Sequence, residues 1–181
     1  MGKPTSPVVD LNAALLLLVL AAVWGGSFFF AEVALRELPP LVITLFRVSL
    51  AVPVLLAVVV LRGVPITRSL RVWRAYLVLG ALNHAIPFSL IFWGQTQIES
   101  GLASILNGTT AMFGALVAGL LLPDEPLRAN KLIGAALGLA GVAFIMGPDA
   151  LQDFNLTNLA QLAILGATLS YAFASVWGKT T

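Results

Sequence analysis

The sequence predicts an all-α integral membrane protein with six transmembrane helices, one five-helix repeat plus the first helix of an inverted second repeat. Three observations carry that expectation. Six stretches of roughly 18–21 mostly apolar residues lie between about Leu11 and Gly178, each long enough to cross a ~30 Å hydrocarbon core at ~1.5 Å per residue. Of the 181 residues, 59% are hydrophobic and 10% charged, where a soluble domain carries roughly 25% charge. Lys and Arg gather on every second connection, as the positive-inside rule describes.

The helices are expected at about 11–31, 41–61, 74–94, 101–122, 130–147 and 158–178. The first could be mistaken for an export signal, because Lys3 precedes it. Its apolar block ends in Phe28-Phe29-Phe30 rather than in a small-residue cleavage site, so it reads as a retained span. Pro39-Pro40 breaks the first connection, and Arg62 to Arg74 forms the second. Gln95 to Ser100 forms the third, and Pro123-Asp124-Glu125-Pro126 opens the fourth. The fifth runs from Gly147-Pro148 to Thr157, polar and acidic. Pro and Gly at these places punctuate the chain. The organisation is therefore a cytoplasmic segment 1–10, a five-helix repeat 11–147, an outer loop 148–157 and the start of a truncated second repeat 158–181.

With a cytoplasmic N-terminus, Lys3, Arg62, Arg68, Arg71, Arg74, Arg128, Lys131 and Lys179 lie inside and only Arg36 lies outside. Glu37, Glu99, Asp149 and Asp153 then lie outside. Eight basic residues against one set the orientation and place the protein in the cell (inner) membrane as a multi-pass protein. The basic excess sits in loops, so no nucleic-acid-binding face is expected. With no Cys and one His, neither thiolate chemistry nor a protein-built metal cage is expected, and no cofactor motif is present.

The sixth helix echoes the first. Shifting by 147 residues aligns Trp24 with Tyr171, Leu18 with Leu165 and Phe30 with Trp177. Five helices separate the two copies, and an odd number starts the second copy on the opposite membrane face. That is the inverted repeat of many secondary transporters. The alternative is a complete six-helix protein whose helices share only composition.

Polar groups inside hydrocarbon cost about 2.5–3.5 kcal/mol on insertion scales when charged, so those present need a reason. Arg47 lies about 10 Å deep in helix 2. It could bind a substrate carboxylate or phosphate, or it could snorkel or pair with Glu32. His84, beside Asn83 and ahead of Pro87 in helix 3, could relay a proton or simply bond a neighbouring helix. Pro87 removes a backbone hydrogen bond and can kink that helix. Trp24, Ser27 and Phe28 with Phe88, Phe92 and Trp93 could wall an aromatic cavity, or belong to an interfacial belt. Asn107, Thr109 and Thr110 could face the same outward cavity, or their hydroxyls could bond a carbonyl one turn back. Gly101, Ser104 and Gly108 in helix 4, and Gly134, Gly138 and Gly141 in helix 5, form small-residue faces of the kind that pack membrane helices. No Asp or Glu sits near a helix centre, which argues against exchange of lipophilic cations for protons. No nucleophile motif or phosphate loop supports an enzyme.

Four segments together resemble the EamA-type family of the drug/metabolite transporter superfamily. They are Val23-Trp24-Gly25-Gly26-Ser27; Pro39-Pro40 with Leu45-Phe46-Arg47; Gly101 to Asn107 closed by Asp124-Glu125-Pro126-Leu127; and Leu132-Ile133-Gly134 through Gly138-Leu139-Ala140-Gly141-Val142-Ala143. The resemblance implies a ten-span inner-membrane transporter of two inverted five-helix repeats, alternating access to a central cavity and exporting amino acids or other metabolites. Ala111 stands where similar sequences often carry Pro, which removes the sequence reason for a helix break there. The expected function is a secondary transporter of small organic metabolites, an exporter whose partners are the lipid bilayer, the substrate and a coupling proton or ion. The alternative is a truncated or non-transporting six-helix scaffold. A half-size unit could assemble as an antiparallel dimer, against which the charge bias speaks.

Overall fold

The computed structural model describes residues 11–151 and 158–180. Residues 1–10 with Lys3, and the part of the 148–157 connection that holds Asp153, lie outside the described residues. The described chain is helical throughout: α1 Leu11–Leu35, α2 Pro40–Leu61, α3 Leu70–Gly80, a π turn Ala81–Ala85, α4 Ile86–Gly94, α5 Ser100–Gly108, α6 Thr110–Leu121, α7 Ala129–Met146, a 3-10 turn Pro148–Leu151 and α8 Leu159–Thr180. Five rods are long and apolar enough to cross a membrane: Leu11–Leu35, Pro40–Leu61, Leu70–Gly94, Ser100–Leu121 and Leu159–Thr180. The expected fifth span coincides with α7, an 18-residue helix that is not among those five.

Local chemistry sets the ends. Pro40 occupies the first turn of α2 behind an extended Pro39, where its missing N–H costs nothing. Gly147 closes α7 with φ 81, a left-handed stop that glycine adopts without strain. The third rod begins at Leu70, four residues before the expected start. Ser69 is extended ahead of it, and the Trp73 indole donates to Thr67 O at 2.9 Å, so Arg71 and Arg74 ride on the first turn rather than in a loop.

The expected disturbance at Pro87 takes a specific form. In the π turn the Ile86 N–H reaches back to Ala81 O. The same i→i−5 register would pair residue 87 with Leu82 O, but proline has no N–H. The Ser170 hydroxyl of α8 donates to Leu82 O instead, at 2.7 Å. Ser170→Ala should therefore lower thermal stability by about 1 kcal/mol, the value of one exchanged hydrogen bond. Ser175→Ala should be silent by the same melting measurement in detergent, because that hydroxyl bonds only Ala172 O of its own helix. The fourth rod is interrupted at Thr109, with ψ −10, and Thr109 N–H bonds Leu106 O at 3.1 Å. The interruption needs no proline at position 111.

α8 is the centre of the bundle. It packs on α4, α5, α6 and the π turn, and meets α3. Half of its most apolar window is buried, against none of that of α1. Ala160, Ile164 and Ala167 join Ile91, Phe92 and Leu102 in one core cluster. Ala172 and Val176 join Val117 and Leu122 in a second. Small residues on the buried side of α8 let backbones approach, which is how helices associate in lipid. α8 is approached most closely at Gly94, where an added Cβ would lie 2.8 Å from Ile164 Cγ1 and 2.9 Å from Ala160 O. Gly119 is equally tight against Leu127, 2.6 Å to its Cδ1. The glycine faces expected to pack behave differently. Gly108 would make ordinary contact with Leu139, while Gly134, Gly138 and Gly141 border open space. Gly101 and Ser104 are half-buried on α5.

One end of the bundle is basic. Lys179 at the end of α8 and Lys131 in α7 both pair with Glu125 between α6 and α7, the latter at 3.7 Å. Trp177 donates to Ala75 O at 3.2 Å, which brings the same end of α8 to the Arg71–Arg74 turn. The short connections at Glu37 and Glu99 lie at the opposite, acidic end.

Candidate functional site

A narrow cavity lies between α1, α2, α4, α5 and α8. It is nearly closed, with about 20 Å³ open to a water-sized sphere. Counted from the acidic end, Arg47 is seven residues into α2, Asn107 seven into α5, Phe28 seven before the end of α1 and Phe88 six before the end of α4. At ~1.5 Å per residue all four sit about 10 Å deep. Side chains far apart in sequence thus reach one layer because the rods run alternately up and down.

Arg47 sets the electrostatics. Its guanidinium stacks over the Phe88 ring at 4.4 Å and lies 5.8 Å from the Phe92 centroid. The two rings are themselves stacked, 6.0 Å apart with planes at 27°. Neither ion pair found among the described residues involves Arg47, so the alternative pairing with Glu32 does not form. A guanidinium held on aromatic faces keeps its in-plane N–H donors for another partner.

Seven of the expected residues line this cavity: Trp24, Ser27, Phe28, Arg47, Phe88, Phe92 and Asn107. The Ser27 hydroxyl is committed to Trp24 O at 2.6 Å, so Ser27 contributes shape more than a free donor. His84 stands outside, exposed on the π turn and edge-on to Phe88 at 5.6 Å. Thr110 also stands outside, its hydroxyl bonded to Asn107 O at 2.6 Å. Thr109 bonds Leu106 O at 2.6 Å and Thr168 of α8 at 3.2 Å, so it ties two helices together. Trp93 is exposed near the end of α4.

Sequence reasoning missed Gln95 and Tyr171 as lining residues. Gln95 directly follows an apolar run and reads as the start of a connection, yet it is only 6% exposed. Its Nε2 donates to Phe28 O of α1 at 3.1 Å, which leaves Oε1 buried with no donor. Asn107 Oδ1 is buried in the same condition. Tyr171 carried a signal in the alignment of the last helix on the first. It and its counterpart Trp24 wall the same cavity. Chemically the site offers cationic donors, two unused amide oxygens and aromatic faces, with no carboxylate lining it. That set is chemically suited to holding and orienting a ligand. Among the described residues no group of His, Asp or Glu could hold a metal ion.

Comparison with known proteins adds an independent line. The model of the EamA-like transporter family matches residues 11–147. An uncharacterized transporter of Archaeoglobus fulgidus is 33% identical over 167 residues, covering 92% of this chain and 55% of its own length. The uncharacterized transporter YvbV of Bacillus subtilis is 31% identical over 170 residues, 94% of this chain and 54% of its own. The uncharacterized inner membrane transporter YedA of Escherichia coli is 27% identical over 166 residues, 90% and 52% respectively. The chain spans about half the length of the curated relatives it matches. No solved structure matches it.

Proposed function

We propose, from the premise that this chain belongs to the EamA-like transporter family, that it serves secondary transport of small organic metabolites, amino acids or related compounds, as an exporter working by alternating access. The observation that carries the reading is the cavity in which Arg47, with no acidic partner among the described residues, stands on the Phe88 and Phe92 rings. A cation without a counter-ion at that depth is costly unless it has a task, and an anionic substrate group supplies the missing charge. The aromatic faces suit an apolar body. Movement of substrate then needs only differential binding in two states of the bundle, with a proton or ion as the coupling partner. The lipid bilayer is the surrounding solvent, which agrees with the exposed apolar sides of α1 and α2. We read α7 as a further span, giving six, and α8 as the opening of an inverted second repeat.

The orientation proposed has the basic end in the cytoplasm, in the inner membrane. The absence of Cys makes this directly testable with single-cysteine variants and a membrane-impermeant maleimide. A cysteine at Glu99 should be labelled in intact cells, and one at Arg68 only after the membrane is opened. The reverse pattern would overturn the proposed topology. Transport itself is tested by counterflow of labelled small organic anions in proteoliposomes. Flux that depends on Arg47 supports the transporter, whereas no flux with any such anion favours the scaffold.

A further inference from the structure

We propose that Gln95 and Asn107 are specificity residues that read an N–H donor on the ligand, beside the anionic group taken by Arg47. The inference rests on the cavity reading above and sharpens its ligand class. The preferred ligand is a compact organic anion whose N–H donor lies within a few bonds of its charged group.

Orientation of the Gln95 amide is not free. Its Nε2 donates to the backbone oxygen of Phe28 at 3.1 Å, an acceptor-only atom, so the side that bonds Phe28 must be the NH2. Oε1 is then left as a buried acceptor with no donor, on a residue that lines the cavity and is only 6% exposed. Asn107 Oδ1 repeats the pattern from α5. A buried acceptor left unpaired is costly, and two from different segments lining one cavity point to a donor that arrives from outside the chain. Among the described residues no side chain supplies it, the Tyr171 hydroxyl and the Trp24 indole of the same lining included. Ser27 is bonded to Trp24 O, and the Arg47 guanidinium lies over the phenyl rings. Donor-rich Arg47 and two acceptor oxygens therefore divide the polar lining into complementary parts. One suits a carboxylate, and the other suits an ammonium or amide N–H attached near it.

The narrowness of the cavity calls for a compact probe pair. Leucine and 4-methylpentanoate share a carboxylate and a branched alkyl body and differ only in the α-ammonium group. Titration calorimetry on the detergent-purified full chain should give about tenfold or tighter binding of leucine, the effect of hydrogen bonds involving a charged group. Gln95→Met should bring the ratio towards one by weakening leucine alone. Asn107→Leu carries the same test where Gln95→Met fails to fold through loss of the Phe28 bond. Equal binding of both probes to the unaltered protein, or a ratio that survives both Gln95→Met and Asn107→Leu, overturns this inference and leaves the Arg47 anion site standing. Binding of neither probe removes the ligand cavity, and this inference with it.

Discussion

Replacing Gly94 by valine is expected to abolish stable assembly of the bundle. α4 and α8 meet at this residue, and an added Cβ would stand 2.9 Å from the Ala160 carbonyl oxygen and 2.8 Å from Ile164 Cγ1. A side chain can rotate away, but a helix backbone cannot. The helices must separate, and Ile164, fully buried at the seam, loses packing along the whole contact. Overpacking of a well-filled core costs about 1–3 kcal/mol even for small insertions. Gly94→Ala should fall in that range, because the gain of up to about 1 kcal/mol in helix propensity is smaller than the clash. Valine adds two methyl groups to the same spot and should exceed the range. Gly80→Ala is the control. Nothing lies within 4 Å of its added Cβ, so it should be neutral or slightly stabilising. Thermal melts followed by size-exclusion chromatography in detergent separate the cases. A Gly94→Val protein that elutes and melts like the unaltered one would show that the α4–α8 contact is not where the bundle is held. Ile164→Ala in the Gly94→Ala background should recover only part of the loss, since the Ala160 oxygen remains.

The second large effect is functional. Arg47→Ala should reduce transport of an anionic or zwitterionic substrate by about 100-fold or more, since it removes paired charge-assisted hydrogen bonds. Stability should change little. Arg47 remains accessible from outside the bundle and forms no ion pair among the described residues, so the loss is a cation–π contact of about 0.5–2 kcal/mol. Arg47→Lys should restore only a fraction of the flux, because an ammonium lacks the planar fork that grips a carboxylate from a stacked position. Counterflow in proteoliposomes reads the first effect and the detergent melt reads the second. Loss of the protein from the membrane on Arg47→Ala would assign the residue to folding instead.

Five of the six expected spans were legible because length and apolarity are properties of consecutive residues. Arg47, Trp24, Phe28, Phe88 and Asn107 were legible as cavity candidates for a related reason: depth along a rod can be counted from its end. What could not be counted is rotation about the rod. His84 and Thr110 share the right chain segments with Phe88 and Asn107 but point elsewhere. Gln95 was hidden because burial at a helix end depends on α1 lying across it. The glycine stripes show the same limit. Gly134 and Gly138 advertise a packing face by spacing, yet the tight seams are at the isolated Gly94 and Gly119. Spacing says that a helix could be approached, and only the partner decides whether it is.

The central place of α8 carries a consequence for synthesis. Its Ser170 meets a carbonyl made 88 residues earlier, and α4, α5 and α6 all wait for it. Ribosomes add about 5–20 residues each second, so the earlier rods spend seconds in lipid without the helix that organises them. During that interval the carbonyl at Leu82 and the seam at Gly94 lack their α8 partners. A nascent chain paused before residue 159 should therefore be far more protease-sensitive than one paused after residue 180.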